Sequence, residues 1–202
     1  MRVTSPKREA RYQQLLQAAL KIFARDGIDG SSVADIAEAA GVAKGSVYLY
    51  FDSKEALAGD LVRYLFTFED DGPRLSEEPE PLQRIISFCE SHEKRVRDLG
   101  ENSGVVLHML GHVGKTTGDQ LGRGIRQLMA ESRYAIQVLL RNAMNRGQLP
   151  ACEDCGRGAA IVVAAMYGTI HQELSMPRLS PNGGFRVKDT VRTVLRGLGA
   201  SL

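Results

Sequence analysis

A short glycine turn between two helical patterns, within residues 23–57, constrains the fold of this chain more than any other feature. Ser32 is a good N-cap, and Asp35 three residues later completes the pattern of a capping box. Apolar residues then follow at the helical spacing i, i+3, i+4 and i+7: Val33, Ile36, Ala37 and Ala40. Gly41 comes next, and glycine readily adopts the positive φ that ends a helix. The segment therefore predicts a short helix that ends in a tight turn.

The residues after the turn predict a second, very short helix from Lys44 to Tyr50. Val47 and Phe51 are four residues apart, so we expect them to face the interior. The outward side then carries Gly45, Ser46 and Leu49, with two tyrosines at its edges, Tyr48 and Tyr50. Two helices joined in this way form a helix-turn-helix, which places its second helix in the DNA major groove.

The outward face of this short helix suits DNA better than it suits water. Lys44 can reach a base edge or a phosphate, and Tyr50 and Lys54 are predicted to contact phosphate. Leu49 has no hydrogen-bonding group, so a thymine methyl is its expected partner. The predicted DNA-binding residues are Ser32, Lys44, Gly45, Ser46, Tyr48, Leu49, Tyr50 and Lys54. The alternative is a packed three-helix domain with no ligand.

The segment resembles the DNA-binding domain of the tetracycline-repressor (TetR) family of bacterial regulators. The matching residues are Ala19, Phe23, Gly27, Ser32, Ile36, Ala37, Ala40, Gly41, Val42, Gly45, Tyr48, Phe51, Lys54, Glu55 and Leu57. Leu49 stands where an aromatic residue is frequent in the family, and Tyr50 where histidine is frequent. The resemblance implies a homodimeric, ligand-responsive repressor that binds a palindromic double-stranded DNA operator.

Composition is that of an ordinary soluble globular protein, with 202 residues, of which 43% are hydrophobic and 25% charged. A net charge of +2 gives no general sign of nucleic-acid binding. The first 25 residues are nevertheless basic, with Glu9 as their only acidic residue. A basic terminus of this kind suits either the phosphate backbone or plain solvation.

We expect a cytoplasmic protein with no membrane partner. The first residues are polar and charged, without the apolar stretch of a secretory signal. The longest apolar run, residues 159–170, is too short to cross a bilayer.

No segment shows the alternation of a strand, so we predict an all-α fold of about nine helices. The predicted DNA-binding domain covers residues 1–52, and a larger helical domain for effector binding and dimerisation covers residues 53–202. The longer predicted helices span residues 7–26, 82–99, 120–146, 154–176 and 187–199, and another begins near Ser53.

Residues 159–168 of the eighth predicted helix are apolar on nearly every face, and a helix of this kind is buried on every face. In a chain of this size we expect one face to meet a second subunit. The resemblance implies the same, because family members dimerise through their last two long helices. The predicted interface comprises Ala160, Ala164, Ala165, Val191, Leu195 and Leu198. An internal core helix is the alternative.

The helices of the larger domain can enclose a pocket for a small-molecule effector. Methionine-rich linings suit adaptable binding, although residues at helical spacing also build a simple core. The predicted lining is Phe66, Phe88, His92, His108, Met109, Met129, Tyr134 and Met166.

Other chemistry is weakly indicated. His108 and His112 are four residues apart, as helical metal ligands can be, but no acidic residue or cysteine lies near them in sequence, so we predict no metal site. Cys152 and Cys155 suit either a redox switch or inert thiols. Enzyme motifs are missing, so we predict no enzyme and no cofactor. A helical dimeric small-molecule-binding protein with a vestigial DNA-binding head remains the rival interpretation.

Overall fold

The computed structural model describes residues 6–66, 75–112, 120–151, 154–176 and 186–202. Every regular element in these ranges is a helix, which confirms the all-α class. The α-helices found there are α1 (Pro6–Gly30), α2 (Val33–Ala39), α3 (Lys44–Val47), α4 (Lys54–Phe66), α5 (Pro81–Asp98), α6 (Gly104–His112), α7 (Gln120–Asn145), α8 (Cys155–Ser175) and α9 (Val187–Gly197). Short 3-10 turns span Leu75–Glu77 and Gly100–Ser103.

The end of α1 and the start of α4 follow from local sequence. α1 is interrupted at Gly27, whose φ of 74° and ψ of 166° are not helical, in agreement with the predicted end at residue 26. Only glycine adopts this backbone conformation without strain. At the start of α4, the Ser53 hydroxyl accepts a hydrogen bond of 3.0 Å from the backbone N–H of Ala56, so Ser53 is the cap.

One compact unit consists of Met1–Thr67 and Leu99–Gln127. α1 lies at its centre and packs against α2, α4 and α6. The side chains of Leu15, Leu16 and Phe23 are completely buried there. Tyr12 stacks on Phe51 with ring centroids 5.3 Å apart, which fixes the segment after α3 against α1.

A glycine pair lets α4 approach the start of α7 within this same unit. A Cβ added at Gly124 would lie 3.6 Å from the Cα of Gly59, and one added at Gly59 would lie 3.2 Å from the carbonyl oxygen of Gln120. The two backbones are therefore nearly in contact, and a side chain at Gly59 would push them apart.

The other compact unit consists of Phe68–Asp98 and Leu128–Leu202. α9 packs against α5 and α8, and α5 also meets α8. Its completely buried side chains include Ile85, Ile136, Leu139 and Met166. The amide of Asn142 on α7 donates to the carbonyls of Leu75 (3.3 Å) and Glu78 (2.7 Å), which anchors the segment before α5.

The compact units follow packing rather than chain order. The predicted division, residues 1–52 and 53–202, separates the helix-turn-helix from the rest and stays a prediction about function. The first unit also contains α4, α6 and the start of α7, because α4 and α6 bury their apolar faces on α1.

Candidate functional site

The helix-turn-helix begins with a complete capping box. The Ser32 hydroxyl accepts from the backbone N–H of Asp35 (3.2 Å), and the Asp35 carboxylate accepts from the backbone N–H (2.9 Å) and hydroxyl (2.7 Å) of Ser32. These hydrogen bonds hold the pKa of Asp35 below its usual value. The predicted cap is confirmed, and it fixes the direction in which α2 leaves the preceding segment.

The turn after α2 is held on both sides. Gly41 has a φ of 62°, and its N–H donates to the Glu38 carbonyl (2.9 Å) while that of Val42 donates to the Ala37 carbonyl (2.9 Å). This is the Schellman pattern that a glycine after the helix permits. The side chain of Gln14 on α1 also donates to the Ala40 carbonyl at 2.7 Å, so the turn is tied to α1.

The short helix α3 and the four residues after it face inward on one side and outward on the other, as predicted. Val47 and Phe51 are 1% and 3% exposed, whereas Tyr48 and Leu49 are 48% and 73% exposed. The helix is shorter than expected because the N–H groups of Tyr50 and Phe51 both bond to the Val47 carbonyl at 3.0 Å, which tightens the last turn. Tyr48 and Leu49 therefore leave two large side chains on this side open to contact with another molecule.

Lys54 has an internal role that the sequence did not reveal. Its ammonium group donates to the backbone carbonyls of Ser31 (2.8 Å) and Asp29 (3.4 Å). Lys54 therefore holds the segment between α1 and α2 against the start of α4, and its expected phosphate contact stays a prediction. Tyr50 also makes an internal contact: the Arg8 guanidinium lies 5.6 Å from its ring centroid in a cation–π contact.

All eight predicted DNA-binding residues belong to the first compact unit. Five are exposed, namely Ser32, Lys44, Gly45, Tyr48 and Leu49. Ser46, Tyr50 and Lys54 are half-buried. A Cβ added at Gly45 would meet nothing within 4 Å, so the space beside this backbone is open.

Comparison with known proteins places this arrangement in a family. Residues 15–61, which include the helix-turn-helix, match the family model described as "Bacterial regulatory proteins, tetR family". The transcriptional regulator TtgR of Pseudomonas putida is 30% identical over 188 residues, which span 88% of this chain and 86% of TtgR. The chain belongs to the TetR family. As a member, it is a DNA-binding transcriptional regulator.

Solved protein structures share the fold of this chain over nearly its whole length. SmeT of Stenotrophomonas maltophilia, in a complex with triclosan, matches with a TM-score of 0.78 and 19% identity over 93% of this chain and 91% of SmeT. FadR of Bacillus subtilis, in complex with stearoyl-CoA, matches with a TM-score of 0.71 and 18% identity over 95% of this chain and 99% of FadR. At sequence identities this low, these matches show a common fold and nothing more.

The predicted effector residues divide between the two compact units. Phe66, His108 and Met109 belong to the first, and Phe88, His92, Met129, Tyr134 and Met166 to the second. Tyr134 is 66% exposed, so the expectation that it lines an enclosed pocket is corrected. The buried stripe of α7 runs through Ser132, Ile136 and Leu139, and Tyr134 projects from another face of that helix. His108 is also exposed, and its ring lies beside Gly27.

His92 is the polar centre of the second unit. It is completely buried, its ring centroid lies 4.9 Å from that of Phe88, and the Tyr167 ring meets it edge-on at 6.0 Å. Burial lowers the pKa of His92 to about 4, so the imidazole is neutral at physiological pH. Tyr167 and the neighbouring Ser132 were not among the predicted pocket residues, although Ser132 is a polar residue within the apolar stripe of α7, which could have singled it out.

The predicted dimer residues differ in their surroundings. Val191 and Leu195 are completely buried within the protomer, because α9 turns its apolar side toward α5 and α8 of its own chain. These two side chains therefore lie in the protomer core, which corrects their assignment to the dimer interface. Ala164 is exposed, and Ala160, Ala165 and Leu198 are half-buried.

An apolar strip of α8 remains on the protomer surface. It consists of Ile161, which is 46% exposed, with Ala164 and Gly168 at the following positions of the same helical face. The strip carries small residues, which permit close approach of another helix. We call it the α8 strip.

The remaining sequence motifs receive little support from the described residues. In that part of the chain, no group of three or more His, Cys, Asp or Glu side chains could hold a metal ion. Cys152 and the side chain of His112 lie outside the described residues, and the Cys155 thiol is 3.2 Å from the sulfur of Met144. No helix of the described ranges has the length and apolar character needed to cross a membrane.

Proposed function

We propose that the protein is a ligand-responsive repressor that binds a palindromic operator as a homodimer. The observation that carries the proposal is the outward side of α3 and of the residues directly after it, which exposes Lys44, Tyr48 and Leu49 next to a turn fixed by hydrogen bonds. Two such faces, related by a two-fold axis, suit two half-sites of a palindrome. A regulator works where the chromosome lies, so the proposal places the protein in the cytoplasm.

The α8 strip supports the dimer. Ile161, Ala164 and Gly168 form an exposed apolar face on a helix, and a second copy of the same face would remove it from water. Val191 and Leu195 would act indirectly, because they fix α9 beside α8 within each protomer.

Small-molecule control is supported by two solved structures that share this fold. SmeT and FadR were solved with triclosan and stearoyl-CoA, which shows that this architecture accommodates organic ligands of different sizes. An effector changes the affinity for DNA only if it binds the DNA-binding conformation and the other conformation with different affinity. In the proposal, the second unit binds that effector.

A gel-shift titration against the DNA upstream of the protein's own gene tests the proposal. We expect specific binding by the wild type at a site with two-fold symmetry. Leu49→Ala is expected to change the preferred base at one position of each half-site, since a good base contact contributes roughly 1–3 kcal/mol of discrimination. Gln83→Ala, an exposed change on α5, is the matched control and should leave the preference unchanged.

The rival interpretation makes a different forecast in the same titration. A protein with a vestigial head would bind the upstream DNA no better than an unrelated duplex. Leu49→Ala would then behave like Gln83→Ala.

A further inference from the structure

The first two turns of α1 form an exposed basic surface in the same compact unit as the helix-turn-helix. Lys7, Arg8 and Arg11 are all exposed there. Lys7 and Arg11 are four positions apart, so they share one side of the helix. Glu9 is two positions from Arg11 and lies on nearly the opposite side, where its carboxylate accepts a hydrogen bond of 3.0 Å from the Gln13 side chain. The side of α1 that carries Arg11 is therefore positively charged.

Two hydrogen bonds in series join Arg11 to the turn of the helix-turn-helix. The Arg11 guanidinium donates to the side-chain oxygen of Gln14 (2.9 Å), and the side-chain nitrogen of Gln14 donates to the Ala40 carbonyl (2.7 Å). Ala40 directly precedes Gly41, so the guanidinium is held beside the turn that leads into α3. An arginine that is already held in place loses less conformational entropy when it binds a partner.

A second arginine is held beside the residues that follow α3. The Arg8 guanidinium lies 5.6 Å from the ring centroid of Tyr50. The Tyr50 ring in turn lies 6.5 Å from the ring of Phe51, which is buried and stacks on Tyr12 of α1. Arg8 and Arg11 are thus fixed near opposite ends of α3, by contacts with the segments that precede and follow this helix.

The chemistry of these two side chains fits the phosphates of a DNA backbone. A guanidinium group keeps its positive charge at every physiological pH, and its planar set of N–H donors matches the oxygens of a phosphate. A helix-turn-helix places its second helix in the major groove, which the phosphates of both strands border. Cations held beside the two ends of α3 are therefore suited to the phosphates at the edges of that groove.

We propose that Arg8 and Arg11 bind backbone phosphates beside the major groove that α3 enters, and that Tyr50 and Gln14 are positioning residues for them. The inference rests on the proposed function, and it extends the DNA-binding surface from the helix-turn-helix to α1. It gives Tyr50 a role through its ring, in addition to the phosphate contact predicted for this residue.

The first test is the salt slope, which is the slope of the logarithm of the association constant against the logarithm of the salt concentration. Arg8→Gln and Arg11→Gln each remove one charge and should each lower its magnitude by about one unit for each bound subunit. Arg11→Lys keeps the charge and should retain the slope. Lys21→Gln is the matched control, an equal charge change at an exposed position about 15 Å further along α1, and should also retain it.

The slopes are measured by fluorescence anisotropy with the duplex bound in the gel-shift titration and with an unrelated duplex of the same length. Arg8→Gln and Arg11→Gln should weaken both duplexes by the same factor, because phosphates carry no sequence information. Urea unfolding of the same samples should give wild-type stability. A wild-type salt slope in either variant would overturn the proposal for that arginine. A loss confined to the specific duplex would show that the substitution acts through the position of α3 instead.

The second test is a double-mutant cycle for the positioning role of Gln14. Gln14→Ala should weaken DNA binding more in the wild type than in Arg11→Gln, where no arginine is left to be held. We expect the two fold-changes to differ by at least about twofold, the lower limit of coupling between residues in contact. Equal fold-changes would show that Gln14 only supports the turn through Ala40, and its positioning role would be wrong.

The corresponding cycle joins Tyr50 to Arg8. Tyr50→Leu removes the ring and should weaken DNA binding more in the wild type than in Arg8→Gln. Tyr50→Phe is the control, because it keeps the ring that contacts the guanidinium and should have the same effect in both backgrounds. Equal fold-changes for Tyr50→Leu in the two backgrounds would overturn the positioning role of Tyr50.

Failure of this inference is distinguishable from failure of the proposed function. If the wild type binds the upstream duplex specifically and the arginine variants keep its salt slope, the regulator remains and the α1 contacts are wrong. If the wild type binds the upstream duplex no better than the unrelated one, the proposed function fails, and the inference fails with it.

Discussion

The helix-turn-helix and the interior of the second unit differ in where their polar and apolar side chains lie. In the head, the hydrogen-bonding groups of Ser32, Asp35 and Lys54 are engaged, while Leu49 stands 73% exposed. In the second unit, apolar side chains are enclosed, and the polar side chains of His92 and Ser132 and the hydroxyl of Tyr167 are enclosed with them. The helix-turn-helix is therefore a rigid surface whose exposed apolar side chain is open to contact with another molecule. The second unit instead encloses its polar side chains within its own core.

Both units also expose apolar side chains, and we propose a different partner for each of the two surfaces. Leu49 and Tyr48 sit beside an open glycine backbone and a lysine, which suits a phosphate-lined groove. The α8 strip carries small residues on a long helix, which suits another helix. The following predictions test these differences, from the largest expected effect to the smallest.

Ala164→Glu should have the largest effect. In a dimer built on the α8 strip, the new carboxylate would be buried without a partner, at a cost of about 3–5 kcal/mol. We expect a monomer in sedimentation velocity and at least a roughly hundredfold loss of operator affinity, which follows from that free energy. The control Gln83→Glu adds the same charge to an exposed position of α5 and should stay dimeric. A dimeric Ala164→Glu variant with full affinity would move the interface away from α8.

Acid should destabilise the second unit through His92. The native pKa of about 4 lies below the usual value of 6.5, so the unfolded chain binds the proton first as the pH falls. Stability from this residue is complete above about pH 6.5 and declines by up to about 3 kcal/mol toward pH 4. Urea unfolding at a series of pH values should show a shallower decline for His92→Gln. An identical decline in both proteins would assign the acid sensitivity to other groups.

Gly27→Ala should destabilise the head by about 1–3 kcal/mol, because a side chain is strained at this backbone conformation. The added Cβ would also lie 3.3 Å from the His108 ring. Gly30→Ala is the matched control, since nothing lies within 4 Å of its added Cβ and its φ is negative. Urea unfolding should separate the two variants clearly. Equal stability would mean that the kink in α1 does not require glycine at position 27.

Lys44 and Lys54 should differ in the way they weaken DNA binding. Lys44→Ala should weaken DNA binding without changing stability; loss of a phosphate contact lowers the magnitude of the salt slope by about one unit, whereas loss of a base contact changes the preferred base. Lys54→Ala should lower the free energy of unfolding by about 1 kcal/mol, because it removes the hydrogen bonds to the Asp29 and Ser31 carbonyls. Affinity measured at several salt concentrations decides between them. A salt slope for Lys54→Ala that also falls by one unit would give Lys54 the phosphate contact that the sequence predicts.

Local sequence was sufficient for the features that depend on neighbouring residues. The capping box of Ser32 and Asp35, the positive φ of Gly41 and the inward side of α3 all follow from spacing and propensity, and the structure confirms them. The boundaries of α7, α8 and α9 fall within one or two residues of the predicted ones.

Features that depend on distant residues could not be predicted in this way. Lys54 meets carbonyls 23 and 25 positions earlier in the chain, and helical spacing carries no signal for such a contact. Val191 and Leu195 look the same in sequence whether α9 packs on its own protomer or on another. Tyr134 and Tyr167 are both tyrosines in long helices, and only the packing of those helices shows that one is exposed and the other has a buried hydroxyl.

The central claim is that two copies of the exposed face of α3 read two symmetric half-sites, and one measurement addresses it directly. Fluorescence anisotropy measures the affinity of the protein for the palindromic duplex found in the gel-shift titration. The same measurement is made with that duplex after one half-site has been scrambled. The account predicts two protomers bound per intact duplex and a loss of at least roughly a hundredfold in affinity on scrambling, because specific and non-specific binding differ by about a thousandfold or more. Equal affinity for the intact and scrambled duplexes would contradict it.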